Sequence, residues 1–259
     1  MSKKKERAYE LDLLRGFAII MMVLMHFAWD LRYEFRVDVF EFLEREWFWA
    51  IVHPFFLVIF VGVSGVCCTF SRNNFFRALK LGGVALAFTL GTYIATKYMG
   101  IYCLILFNVL HMLAVSMLVY SLIEFVNKKA KIKEKAANAL LAFGGVFITI
   151  IGLEIYRFDR MFENLWLIPI GMRIVNTPVM ADYMPLVPWL GVFLLGALVG
   201  KVCYSDRKSL LPKKNKIVGG ICAPIEFMGR HSLIVYIVHQ PIVYGILYLI
   251  FKFIVGSQG

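Results

Sequence analysis

His26 and Asp30 close the first apolar run of the chain and stand four residues apart, so a helix presents both on one face. A carboxylate beside an imidazole fixes its tautomer and steadies the ring that accepts a proton, as a general base requires. The plain alternative is a local polar pair at a helix end. Arg15 opens the same run, with Asp12 three residues before it. It reads as a local ion pair with Asp12, or as a phosphate-binding fork that Arg72, Arg77 and Arg230 can join. His53, His111, His231 and His239 complete the histidines, all within or at the ends of apolar runs. Each could simply bond a neighbouring helix. Ionisable groups at membrane depth, however, normally face a bundle interior or a water-filled cavity. Asn108 and His111 stand three apart and offer a second polar face. His239-Gln240-Pro241 puts two polar groups at an expected kink, because Pro241 removes a backbone hydrogen bond.

The elements that must position these groups follow from composition. The chain has 259 residues, is 60% hydrophobic and has a mean hydropathy of +0.73. That is far too apolar for a soluble domain. It predicts an all-α integral membrane protein, one polytopic domain over residues 1–259. A spanning helix needs about 20 mostly apolar residues. About seven stretches qualify: 11–30, 47–70, 78–98, 104–126, 137–156, 186–204 and 231–254. All must be helical, because backbone groups in lipid bond within their own segment.

The net charge of +11 sits mostly in short loops between spans, which signals topology rather than nucleic-acid binding. With the N-terminus in the cytoplasm, the inside segments hold Lys3 to Arg7, Arg72 to Lys80, Lys128 to Lys135 and Lys201 to Lys216. These outnumber the basic residues assigned outside. The first outside loop is also acidic, with Glu34, Asp38, Glu41, Glu44 and Glu46.

The segment 31–46 reads as an interfacial helix. The stretch 157–185 is too polar and proline-broken to span. The basic loop 205–216 reads as mobile. The five cysteines form no Cys-x-x-Cys pair, which argues against a zinc site or disulfide framework; no metal is expected. The N-terminus resembles a signal peptide but lacks a small-x-small cleavage site, so it reads as a retained first span. No glycine-rich nucleotide loop is present, so phosphate binding would rest on arginines and helix ends.

Several stretches resemble known families. Arg7-x-x-Glu10-x-Asp12-x-x-Arg15-Gly16-Phe-Ala-Ile, closing on His26-Phe-x-x-Asp30, is similar to the start of the heparan-alpha-glucosaminide N-acetyltransferase catalytic domain and its small bacterial relatives. The same stretch resembles the opening of the type-three membrane acyltransferases. Phe55-Phe56 through Ser64-Gly65, and Gly229-Arg230-His231-Ser232-Leu233 through His239-Gln240-Pro241, match the wider superfamily in the same order.

The resemblance implies acyl transfer across a bilayer, at a bacterial cytoplasmic membrane. Acyl-CoA, as acetyl-CoA, would enter from the cytoplasm. A sugar or other hydroxyl- or amine-bearing acceptor would wait at the outer face. His26, oriented by Asp30, would be the base. The heparan enzymes carry their catalytic histidine in the outside loop after this span, and 31–46 has none, so His53 is the other candidate. Arg15, Arg72 and Arg230 would hold CoA phosphates, and His239 and Gln240 would line the path of the thioester. A proton-coupled transporter or channel with a histidine relay is the rival reading. It asks for proline-broken spans in matched halves, and no paired halves are visible.

Overall fold

The computed structural model describes residues 8–157, 160–175, 177–178, 180–212 and 216–255. Lys3, Lys4, Lys5, Arg7, Lys213 and Lys214 of the charge pattern lie outside them. Eight α-helices run through the described residues: α1 Tyr9–Trp29, α2 His53–Thr69, α3 Asn74–Tyr98, α4 Val109–Lys129, α5 Glu134–Arg157, α6 Trp189–Cys203, α7 Lys216–Arg230 and α8 Ser232–Ile250. Among the described residues β-structure amounts to one isolated bridge, Phe162 to Ile174. The all-α expectation holds.

Among the described residues six helices are long and apolar enough to cross a membrane: those within Tyr9–Glu34, Phe48–Thr69, Asn74–Tyr98, Val109–Lys129, Glu134–Ile155 and Ser232–Phe253. The seventh expected span is α6, which has only 15 residues. At 1.5 Å per residue it is about 22 Å long, short of the roughly 30 Å hydrocarbon layer. The chain falls into two compact units, Met1–Phe60 with Asp206–Gly259, and Val61–Ser205.

In the first unit α1 packs on α7 and α8. The α1–α7 contact is nearly backbone on backbone. A Cβ placed on Gly16 would lie 1.9 Å from the Ile225 carbonyl oxygen, and one on Gly229 would lie 1.9 Å from the Asp12 carbonyl oxygen. Small residues let helices approach this closely where lipid supplies no hydrophobic driving force between them. Helix α7 was not anticipated. At 15 residues, with several glycines and Pro224, it is too short to qualify as a span, though its apolar residues recur at the helical period.

Residues 209–212 of the preceding loop, expected as mobile, bond to the start of α1. Buried Glu10 accepts from Ser209 Oγ at 2.6 Å and from the Leu210 amide at 2.8 Å. Tyr9 Oη donates to the Pro212 carbonyl at 2.8 Å.

After Trp29 the helix widens into a π turn, Asp30–Glu34. The expected interfacial helix over 31–46 does not form as one piece. Arg32 instead fastens an irregular loop, donating to Glu44 Oε1 from Nε at 3.1 Å and Nη2 at 2.6 Å, and to the Val39 carbonyl at 2.6 Å. Leu43, Phe48 and Ala28 are buried beneath it. Arg36 and Phe40 break the helix with φ of 54° and 57°, and the planar guanidinium of Arg32, with several donors, satisfies the loop's polar groups.

In the second unit α6 is the buried centre. Phe193 and Ala197 are fully buried. Gly196 meets Gly62 of α2, and Gly191 meets Gly145 and Thr149 of α5. Helix α4 begins at Val109 rather than near 104, because Asn108 caps it. Asn108 Oδ1 accepts from the Leu110 amide at 3.2 Å, and the Asn108 amide donates to His111 Nδ1 at 3.3 Å, a reciprocal capping box. The 157–185 stretch holds a 3-10 turn, Leu165–Ile170, and bonds back through the Ala181 amide to the Leu104 carbonyl and the Met184 amide to the Phe107 carbonyl.

Candidate active site

Helices α1 and α8 each carry an ionisable or amide pair into their shared contact. On α1 and the π turn that continues it these are His26 and Asp30; on α8, His239 and Gln240. The i, i+4 spacing delivers the α1 pair to one face, as the helical period dictates. The His26 and His239 rings lie edge to face, with centroids 4.9 Å apart. One turn further on, Gln240 Nε2 donates to both oxygens of Asp30, at 3.1 and 3.0 Å. Asp30 is only 3% exposed and His239 only 6%. The two helices therefore meet in two polar rungs, histidine on histidine and amide on carboxylate.

Each histidine has one nitrogen engaged by its own helix. His26 Nδ1 lies 2.9 Å from the Met22 carbonyl and His239 Nδ1 2.7 Å from the Tyr236 carbonyl. A carbonyl only accepts, so in the neutral ring Nδ1 carries the proton and Nε2 the lone pair. His26 is thus oriented through its own helix, and Asp30 lies close enough for its charge to act on the ring. His239 Nε2 and Gln240 Oε1 are shielded from solvent without a hydrogen-bond partner among the described residues. Leaving a buried polar atom unbonded costs about 1–3 kcal/mol, so such atoms are normally bonded.

His53 heads α2 in the same unit and is close enough to His26 for their charges to interact. Its ring lies 5.1 Å from that of Trp49, which in turn packs edge-on against Trp29 at 5.8 Å. Trp49 Nε1 donates to the Leu43 carbonyl at 2.7 Å, which ties this aromatic group to the Arg32-fastened loop. His26, His53 and His239, far apart in sequence, belong to one neighbourhood.

The arginines are placed differently. Arg15 is half-buried beside Gly16, and Arg230 is exposed beside Gly229. These two glycines meet backbone to backbone, so the α1–α7 contact brings the two arginine-bearing segments together. No ion pair joins Asp12 to Arg15 among the described residues. Arg230 Nε donates to the Glu226 carbonyl at 3.2 Å. Arg72 is exposed in the turn between α2 and α3 and belongs to the second unit.

The remaining histidines serve the fold. His111 completes the cap of α4 and lies 3.2 Å from Thr89 Oγ1 through Nε2, which links α4 to α3. The anticipated Asn108/His111 polar face is this cap. His231 stands at the joint of α7 and α8, with Nδ1 2.9 Å from the Phe227 carbonyl. A cavity of about 560 Å³ at the ends of α4, α5 and α6 is lined by Glu124, Asn127, Lys128 and Lys201 among others, and by none of the candidate residues.

Sequence reasoning missed Glu10 as an anchor and Met22 as the orienting carbonyl. The first had a signal, an acid in the first turn of an apolar helix, where the dipole favours it. The second had none, because every residue has a carbonyl.

A protein-family comparison matches residues 7–241 to the family described as heparan-alpha-glucosaminide N-acetyltransferase, catalytic. No curated protein and no solved structure matches the chain.

Proposed function

Because the chain belongs to the heparan-alpha-glucosaminide N-acetyltransferase catalytic family, we propose that it moves an acetyl group from acetyl-CoA to a hydroxyl or amine of a glycan or similar acceptor at the far side of a bilayer. The observation that carries this reading is the buried polar contact of α1 and α8, His26 on His239 and Asp30 on Gln240. Polar and ionisable side chains at membrane depth are costly and mark functional sites by default. The family match runs through both compact units, which supports reading the chain as one catalytic domain.

In the proposed reaction the acceptor's oxygen or nitrogen attacks the thioester carbonyl. His26 takes the acceptor's proton, the carbon–sulfur bond breaks, and the proton ends on the departing CoA sulfur. Asp30 stabilises the imidazolium that forms in between. Arg15 and Arg230, whose segments the α1–α7 contact brings together, would bind CoA phosphates.

Arg15→Ala is expected to weaken acetyl-CoA binding by at least about tenfold, because a charge-assisted phosphate bond is worth roughly 1.5–3 kcal/mol. Asp12→Ala should change it little. Calorimetric titration of the two variants in nanodiscs tests this, and equal binding by both variants and wild type would make Arg15 structural.

The sides of the membrane follow from charge. The Lys/Arg pattern supports a cytoplasmic N-terminus. A single cysteine at position 131 should resist a membrane-impermeant reagent in intact cells, and one at position 44 should react. Reaction at 131 alone would reverse the proposed sides of donor and acceptor.

A further inference from the structure

Two buried atoms of α8 carry lone pairs and lack a donor among the described residues. His239 Nε2 is one, because Nδ1 faces the Tyr236 carbonyl at 2.7 Å and so holds the ring's proton. Gln240 Oε1 is the other. The amide's orientation is set by chemistry: its nitrogen lies 3.1 and 3.0 Å from the two oxygens of Asp30, and an amide oxygen there would repel the carboxylate. Both atoms are buried and unbonded among the described residues, and His239 as a whole is 6% exposed. Buried acceptors of this kind call for a donor. They stand on the two rungs that α8 shares with α1, one beside the His26 ring and the other beyond Asp30.

We infer that His239 Nε2 and Gln240 Oε1 form the acceptor-substrate subsite, accepting hydrogen bonds from a hydroxyl or amine of the acyl acceptor and holding it beside His26. The inference rests on the acetyltransferase reading above. It turns on complementarity: a thioester carbonyl and its sulfur bring only lone pairs and would face two more. An acceptor with an O–H or N–H fits both atoms. His239 and Gln240 therefore read the acceptor rather than guide the thioester, and a ligand that carries more than one donor can engage both. Asp30, by fixing the amide's orientation, is a positioning residue for this subsite.

The test measures binding of D-glucosamine and of acetyl-CoA separately, to the full chain in lipid nanodiscs. His239→Phe keeps a ring and removes Nε2. It should weaken glucosamine about tenfold, the value of one lost hydrogen bond, and raise the glucosamine KM to match, with acetyl-CoA affinity unchanged. His239→Gln restores an oxygen acceptor and should recover part of the loss. Acetyl-CoA binding doubles as the control for folding. Should His239→Phe fail it, His239→Asn, polar but too short to reach, carries the same expectation. Three results overturn the proposal: glucosamine affinity equal to wild type in these variants, a selective loss of acetyl-CoA affinity, or no glucosamine binding by the wild type at millimolar concentration. A wild type whose glucosamine binding depends on His239 but which transfers no acetyl group would sink the acetyltransferase reading and leave the subsite standing.

Discussion

His26→Ala is expected to lose acetyl transfer by at least about a hundredfold while binding acetyl-CoA as the wild type does. A positioned general base contributes on the order of a hundred- to ten-thousand-fold. His26 is placed for that role. Its Nδ1 is taken by the Met22 carbonyl, its ring packs on His239, and Asp30 stands one turn away. His53→Ala is the comparison that decides between the two histidines. His53 shares the neighbourhood but is held by Trp49, outside the α1–α8 contact. Initial rates of transfer from labelled acetyl-CoA measure both variants. Wild-type turnover in His26→Ala together with loss in His53→Ala would move the base to His53.

The second large effect is structural. Gly16→Val should prevent α7 from docking on α1. A Cβ there would sit 1.9 Å from a backbone carbonyl oxygen, which cannot swing aside as a flexible side chain would. Ordinary overpacking costs about 1–3 kcal/mol, and a collision with a helix backbone exceeds that range. The variant should show a large fall in thermal midpoint in detergent, or fail to accumulate. Gly83→Ala is the matched control. Gly83 lies in α3 with nothing within 4 Å of its would-be Cβ, so alanine should be neutral or slightly stabilising. Equal midpoints for Gly16→Val and wild type would show that the α1–α7 contact is not as close as described. The same variant should also lower acetyl-CoA affinity, since this contact brings the Arg15 and Arg230 segments together.

The amino-acid order alone determined the class of protein and most of its elements. Runs of about 20 apolar residues must be helices in a bilayer, because no other segment satisfies its own backbone there. That logic located α1 to α5, α6 and α8. Helical spacing alone put His26 and Asp30 on one face, since i and i+4 always share one. The motif residues Arg15-Gly16 and Gly229-Arg230 were visible as well, as was the family they point to.

Tertiary structure decided what those residues touch. Gly16 and Gly229 lie more than two hundred positions apart, and no local rule says that they meet. Helix α7 is amphipathic but carries Pro224 and several glycines, and what it packs on, α1, was not legible from its own sequence. Asp30 was paired with His26 by spacing, yet its hydrogen bonds come from Gln240, 210 residues away. His111 looked as functional as His239 in the sequence. One turned out to cap a helix and the other to hold a buried lone pair, because capping needs only the three residues before it, whereas an orphaned atom is defined by everything packed around it.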